Sequence, residues 1–301
     1  MENPSPKTVI IITGPTGAGK TAAAIQLALH FKTEIISADS RQCYQELNIG
    51  VARPSGEELK RVRHHFIASH SIHEKVDAVV FEQYALEKVN ELFQQKDVVI
   101  MAGGTGLYLK AFCEGMDEIP GIETAIRKRI TDEYKTKGIE WLQKEIARKD
   151  PAFYAAGEIQ NPQRMLRALE VVESTGRSIL QFRKGKKKNR GFRIFKTAVE
   201  LSKDDLQRNI NVRTDKMVEA GLANEVKALL PYKSLNALQT VGYTELFEYF
   251  DGKISLEQAV ERIKINTRQY AKRQMTWFRK DEEIKWFIPG KLDDIIRAVQ
   301  L

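Results

Sequence analysis

The chain has 301 residues, 42% hydrophobic and 29% charged, a composition ordinary for a globular protein with a sizeable core. No apolar run approaches the roughly 18 residues of a membrane span, and the opening MENPSPK lacks the basic-then-apolar pattern of a signal peptide, so a cytoplasmic location is expected. The two cysteines, Cys43 and Cys113, lack metal-type spacing and are expected to be reduced, buried thiols. The net charge of +8 is local: residues 121–195 hold 18 Lys and Arg against 9 Asp and Glu. A surplus confined this way points to a polyanion larger than a metabolite, or to a solvated helical surface with a basic loop.

In chain order, residues 8–13, TVIIIT, form a β-branched run ending at a glycine loop, and residues 20–31 have helical spacing with small side chains, which predicts strand, loop and helix. EIISADS at 34–40 predicts a second strand closing on polar residues, and DVVIMAGGTG at 97–106 a third closing on glycines, with helical periodicity at 78–94 between them. Polar residues gather where strands end, which in open parallel sheets is the ligand-binding edge. After Pro120 the pattern turns helical at 124–137, 139–149 and 162–174, and KGKKKNRG at 184–191 predicts a mobile loop. FRIFKTAVEL at 192–201 returns to strand-like alternation, and 204–217, 224–230, 244–250 and 256–278 are helical again. The expected fold is α/β: a P-loop NTPase-like parallel sheet core flanked by helices, covering 1–119 and 196–301, with a mostly helical, basic insertion at 120–195. Without an extended apolar heptad, a monomer is the expectation.

Gly14, Pro15, Thr16, Gly17, Ala18, Gly19, Lys20 and Thr21 spell G-x-x-x-x-G-K-T between the first strand and the first helix. The glycines let backbone N–H groups turn inward around an anion while the helix presents its positive end. Lys20 adds a full charge at the terminal phosphates, and Thr21 supplies a hydroxyl to Mg²⁺. An ATPase pairs such a loop with an apolar strand ending in Asp; here VVIMAGGTG ends in glycines and Thr105. The nearest carboxylate is Asp39, in SADSRQ, which suits either a water-mediated hold on Mg²⁺ or a base acting on an acceptor. Phosphate binding is therefore expected, and triphosphate hydrolysis does not follow. As bare residues, Thr105 caps the turn after its strand, Arg213 lies on a helix surface, and His64 and His65 are structural.

GPTGAGKT (14–21), SADSRQCYQELNIGVARPS (37–55), HHF (64–66), GGTGLYLKA (103–111), NPQRMLRALEV (161–171), AGLANEVKALL (220–230), TVGYTEL (240–246) and TRQYAKRQMTWFR (267–279) occur in an order and spacing that resembles the bacterial tRNA dimethylallyltransferases over nearly the whole chain. The resemblance implies transfer of a five-carbon unit from dimethylallyl diphosphate to N6 of adenosine 37, beside the anticodon. The loop at 14–21 would then hold the donor's diphosphate. It implies Asp39 as the base that takes the amine proton, with Lys20, the loop amides and Mg²⁺ neutralising the leaving diphosphate. Thr105 would contact the target nucleotide and Arg213 would stand near the diphosphate. The resemblance also implies tRNA contacts at Asp39, Ser40, Arg41 and Gln42, at Gln163, Arg164, Met165, Leu166 and Arg167, and at Thr105 and Arg127. Arg164 and Arg167, three apart on one helix face, suit adjacent phosphates. A stacked adenine must be extracted before it reacts, and the basic insertion would grip the anticodon stem and loop.

The sequence departs from the family pattern in places. Gly17, Ala18 and Gly19 replace a commoner Ala-Ser-Gly, Val51 and Arg53 stand where Thr and Lys are usual, and Cys43 replaces a bulkier aliphatic. None of these is the proposed base or lysine. Arg268, Lys272 and Arg279 alternate with aromatics in a way that suits RNA, but Tyr270, Trp277 and Phe278 are more simply core residues of a C-terminal helix. No zinc is expected, because the zinc-finger extension of eukaryotic relatives is missing. Three rivals stay open: a P-loop kinase of a nucleoside or small metabolite, a nucleotide-gated RNA-binding protein, and a prenyltransferase of free adenine nucleotides. The kinase and the free-nucleotide enzyme leave the basic insertion without a purpose.

Overall fold

The computed structural model describes residues 6–300. Its centre is β1 (Thr8–Thr13), all six residues of which are buried. Both faces of a parallel sheet are covered by helices, so an uninterrupted β-branched run rather than an alternating one belongs there. β2 (Ile35–Ser37), β3 (His64–His65), β4 (Val98–Ala102), β5 (Arg193–Val199) and β6 (Lys285–Phe287) complete a six-stranded sheet in the order β3-β2-β4-β1-β5-β6. Every pairing is parallel, as expected. β3 and β6, two and three residues long, are edge strands beyond those expected from the sequence.

Around the sheet run α1 (Lys20–His30), α2 (Gly56–Arg61), α3 (Ala78–Leu92) and α4 (Gly106–Glu114). α5 (Thr124–Lys149), α6 (Pro151–Ala155) and α7 (Pro162–Thr175) follow, then α8 (Lys203–Glu219), α9 (Leu222–Ala228), α10 (Thr244–Phe250), α11 (Leu256–Phe278) and α12 (Leu292–Gln300). Ile10 and Ile12 of β1 pack with Ala24, Ile25, Leu27 and Ala28 of α1 and with Ile295 and Val299 of α12. Each of the larger side chains buried there contributes about 1.5–3 kcal/mol. Among the described residues no helix is long and apolar enough to cross a membrane.

The chain forms two compact units, one made of Met1–Cys113 and Asn189–Leu301, the other of Glu114–Lys188. The second has its own core, in which Ile130, Leu142, Ile146, Phe153, Met165 and Leu169 are fully buried. Gly138, at φ 75°, breaks α5 into the two helices that the sequence separates at that residue. Asn161 caps α7 through the N–H of Arg164, and Gly176 in the left-handed region ends it. The expected insertion limit at 195 lies inside β5, where Arg193, Ile194 and Phe195 pair with Thr8, Val9 and Ile10. Charge counting had drawn Arg193 into the basic segment, whereas backbone pairing puts it in the sheet. The expected mobile loop is also anchored at its end. The Arg190 side chain is 8% exposed, donating to the carbonyls of Ala111 and Phe112 and pairing with Glu82 at 2.7 Å.

The topology fixes where a ligand belongs. From β1 the chain passes over β4 to reach β2, and from β4 it passes over β1 to reach β5. Neighbouring strands β1 and β4 therefore send their connections in opposite directions, which opens a crevice at their C-terminal ends. The phosphate loop follows β1 there, and the Gly103–Thr105 turn follows β4.

Candidate active site

β1 runs into Gly14 at φ 130°, and Gly17 and Gly19 adopt 84° and 86°, backbone that a side chain makes costly. Gly14 is constrained twice, because a Cβ there would lie 2.8 Å from the carbonyl oxygen of Val199 at the end of β5. Gly19 is the N-cap of α1 and no side chain caps it, so the helix presents its first N–H groups to the crevice side of the loop. Lys20 Nζ reaches back over the loop to donate to the carbonyl of Pro15 at 2.9 Å. Burial pushes the Lys20 ammonium down to about 8; Asp39 opposes that shift and Arg213 adds to it.

α8 closes on the same loop. Arg213 donates to the hydroxyl of Thr16 at 3.1 Å, and Asn209, one turn earlier, to the carbonyl of Gly17 at 3.1 Å. The i, i+4 spacing puts both side chains on one face. Burial lowers the Arg213 pKa as well, with Asp39 acting in the other direction.

Asp39 follows β2. Its Oδ1 accepts the N–H groups of Arg41 at 2.9 Å and Gln42 at 3.2 Å, a local turn typical of Asp. Among the described residues Oδ2 has no hydrogen-bond partner, so one carboxylate oxygen is held by the turn and the other is not. Thr105 is bolted to this turn: its Oγ1 accepts the N–H of Ser40 at 3.0 Å and donates to Ser40 Oγ at 3.3 Å, while its own N–H donates to Ala38 at 3.2 Å. Close approach of the two loops demands glycine at 103, where a Cβ would sit 2.2 Å from the carbonyl oxygen of Ala38. Behind Asp39 the Cys43 thiol is buried and pushed up to about 12 by desolvation and by the carboxylate, which keeps it an inert thiol.

Two cavities meet at Asp39. One, of about 320 Å³, lies over the phosphate loop and is lined by Lys20, Thr21, Asp39, Gln42, Asn209 and Arg213 among others. The second, of about 580 Å³, is lined by Asp39, Ser40, Arg41, Arg213, Tyr270 and Arg273 among others. Thr16, Asp39, Val51 and Arg213 border both. Thr105 borders neither; with Ser40, Arg41 and Tyr108 it lines a third cavity of about 420 Å³. The structure thus brings Lys20, Thr21, Asp39 and Arg213 to one place and attaches Thr105 to it through Ser40.

A G-x-x-x-x-G-K-T loop beside a carboxylate occurs in several enzyme classes, and comparison with known proteins places the chain among them. The family model described as IPP transferase matches residues 42–281. The chain belongs to the IPP transferase family. It is 42% identical to tRNA dimethylallyltransferase 1 of Bacteroides thetaiotaomicron, covering 98% of this chain and 96% of that protein. It is 46% identical to the tRNA dimethylallyltransferase of Christiangramia forsetii, over 93% of this chain and 92% of that one. Among solved structures it resembles the full-length tRNA isopentenylpyrophosphate transferase of Bacillus halodurans with a TM-score of 0.71 at 30% identity, over 98% and 96% of the two chains. A eukaryotic dimethylallyltransferase acting on tRNA matches with a TM-score of 0.76 at 26% identity, over 94% of this chain and 74% of that one.

In this IPP transferase the residues expected on the helical unit fall into two groups. Arg127 forks onto Glu170 at 3.1 and 3.2 Å, and Arg167 reaches the same carboxylate at 3.3 Å. Arg164 pairs with Glu158, and Gln163 is exposed. Met165 and Leu166 lie on the apolar stripe of α7, in the core, at 0% and 8% exposure. Their side chains are therefore not available to a tRNA, which corrects that part of the expectation for 163–167.

Other residues of this chain were misplaced or missed in the sequence. Tyr270 and Trp277, expected in the core, are 37% and 41% exposed, and only Phe278 of the three is buried. The buried residues of α11 are Ala259, Ile263, Ala271, Gln274 and Phe278. A glutamine on an otherwise apolar stripe was the available signal that this helix meets polar backbone. Glu225 is a second omission: its carboxylate accepts the N–H groups of Asn48, Ile49 and Gly50 and the hydroxyl of Tyr243, fastening the 48–50 loop to α9.

Proposed function

We propose that the chain transfers the dimethylallyl group of dimethylallyl diphosphate to N6 of adenosine 37 in tRNA, giving N6-isopentenyladenosine beside the anticodon. The observation that carries this reading is that Asp39 borders both the phosphate-loop cavity and the larger cavity next to it. A base placed between a donor's diphosphate and an acceptor is what the reaction needs, because an exocyclic adenine amine has its lone pair delocalised into the ring. As the N6–C1 bond forms, the C1–O bond breaks, the electron pair leaves with the diphosphate, and the amine proton passes to Asp39 Oδ2.

Lys20, Arg213 and the loop N–H groups receive the charge that accumulates on the leaving diphosphate. Mg²⁺ fits the site: the hydroxyl of Thr21 lines the phosphate-loop cavity, a hard oxygen ligand to which the diphosphate would add its own. Bound there, the ion would supply further neutralisation of the leaving group. Ser40, Arg41, Gln42 and Thr105 would orient the flipped nucleotide, while Arg127, Gln163, Arg164 and Arg167 would hold the anticodon backbone. β4 ends in Ala102 with glycines after it, so the strand-end Asp of a P-loop kinase is missing, and that disfavours the kinase reading.

The test is to incubate the purified protein with Mg²⁺, labelled dimethylallyl diphosphate and an unmodified anticodon stem-loop containing A36-A37-A38. Label entering the RNA supports prenyl transfer; ATP consumption without transfer supports the kinase. Asp39→Ala is expected to abolish transfer and spare RNA binding, and full activity in that variant would remove Asp39 as the base.

A further inference from the structure

Gln274 is 7% exposed on α11, and both ends of its amide are used. Oε1 accepts the N–H of Thr16, in the phosphate loop, at 2.8 Å, and Nε2 donates to the carbonyl of Gly104, after β4, at 2.9 Å. One side chain therefore joins the loop read as the diphosphate cradle to the loop whose next residue, Thr105, holds Ser40 beside Asp39. Thr16 offers a donor and Gly104 an acceptor, so the bridging group must present one of each at its end, which among side chains of this length is a primary amide. Glutamate has no donor for Gly104, and alanine meets neither partner. Gly104 is fitted to the bridge in turn: a Cβ there would lie 2.3 Å from Nε2, although its φ lies outside the left-handed region. The other bonds between these loops, Thr13 Oγ1 to Gly103 at 2.9 Å and Gly103 N–H to Ile12 at 3.1 Å, sit at the strand ends and leave the tips to Gln274.

We propose that Gln274 is a positioning residue for prenyl transfer, setting the separation between the loop that holds the donor and the loop that aligns the acceptor. The inference rests on the prenyl-transfer reading above. Gln274 touches neither reacting atom; it acts through Thr16 and Gly104. Reaction between two substrates held by different loops depends steeply on their spacing, and a misplacement of about 1 Å costs about 100-fold in rate.

The test compares single-turnover transfer to the stem-loop by the full chain carrying Gln274→Ala, Gln274→Glu, Gly104→Ala, and Gln274→Ala with Gly104→Ala. Each single variant is expected to slow transfer by about 10- to 100-fold, with affinities for inorganic pyrophosphate and for the stem-loop within about threefold of wild type. The double variant is expected to be no slower than Gln274→Ala, because the clash at Gly104 disappears with the amide. Gly104→Ala keeps every hydrogen-bonding group, so it reports on positioning even where a Gln274 variant folds poorly. Loss confined to thermal stability or to substrate affinity, with the transfer rate retained, overturns the role, and so does a double variant whose losses add. A wild-type chain that transfers nothing overturns the prenyl-transfer reading itself.

Discussion

The guanidinium of Arg213 donates to the hydroxyl of Thr16 at 3.1 Å, joining residues 197 apart in sequence. A helix arginine becomes part of the rim of the phosphate loop, on the edge of both cavities. Arg213→Ala is expected to lower kcat/KM by about 100- to 1000-fold, the range for losing one preorganised donor to developing negative charge. Arg213→Lys should recover only part, because a point charge replaces a planar fork. Steady-state kinetics with a fixed stem-loop check this, and a Lys variant equal to wild type would reduce the role to simple charge.

Lys20 gives the site a pH dependence with a definite sign. Burial holds the ammonium at about 8, well below the ordinary lysine value of 10.5, so the fold disfavours its charge. That cost to stability is fully present below about pH 8, where Lys20 is charged in both folded and unfolded chains, and it is relieved as pH rises from about 8 to about 10.5. A bound polyphosphate favours the charged form. Near pH 8, binding of inorganic pyrophosphate should therefore take up a fraction of a proton, and affinity should weaken above that pH. Calorimetry in two buffers of different ionisation enthalpy measures the uptake, and Lys20→Met should remove the component due to Lys20. Identical uptake in the variant would assign the proton to another group.

The fold was largely legible because its strongest signals are local. β1, the phosphate loop and α1 follow one another directly, and each is fixed by residues within it: a β-branched run, glycines at positive φ, and a small-residue helix. The positions of Lys20, Thr21 and Asp39 just beyond strand ends could be read for the same reason. Gln274 and Glu225 could not, because their roles arise from partners 258 and about 176 residues away that only tertiary folding brings near. Tyr270 and Trp277 were misassigned since an aromatic at helical spacing reads as core wherever the buried stripe is undecided, and the stripe here is offset onto Ala271, Gln274 and Phe278. Met165 and Leu166 were carried into a contact segment by resemblance, although their own apolar character predicts the core they occupy.

Glu225 supports the Asp39 turn from a distance. Its carboxylate takes N–H groups at 3.2, 2.7 and 3.0 Å from Asn48, Ile49 and Gly50, and the Tyr243 hydroxyl at 2.6 Å. The loop so fixed continues to Val51 and Ala52, whose carbonyls accept from Gln42, and Gln42 N–H is held by Asp39. Glu225→Ala should cost about 1–3 kcal/mol, since charge-assisted bonds to half-buried backbone are lost and the hydroxyl of the buried Tyr243 is stranded. Glu225→Gln should cost less because its amide keeps one acceptor. Gly50→Ala should destabilise by about 1–3 kcal/mol through overpacking, its Cβ falling 2.6 Å from the Tyr243 ring. Urea unfolding checks all three, and an alanine at 225 with unchanged stability would show the anchor to be dispensable.

Glu170 ties up two arginines that the proposed tRNA contact would use. It is 7% exposed and engages both Arg127 and Arg167 in ion pairs, the former bidentate. Each guanidinium can meet a phosphate only by sharing or leaving that carboxylate, so the two arginines act at reduced effective charge. Glu170→Gln retains acceptor oxygen for one arginine and removes the negative charge. It should tighten binding to the anticodon stem-loop and steepen the dependence of log K on log salt by about one phosphate equivalent, a slope change of about 0.7–0.9. Arg127→Ala and Arg167→Ala should each flatten it by less than that in the native background, and by more when Glu170→Gln is also present. Filter binding or fluorescence anisotropy over a salt series measures the slope. If Glu170→Gln leaves it unchanged, Arg127 and Arg167 are structural partners of the helical core and the RNA backbone is held elsewhere.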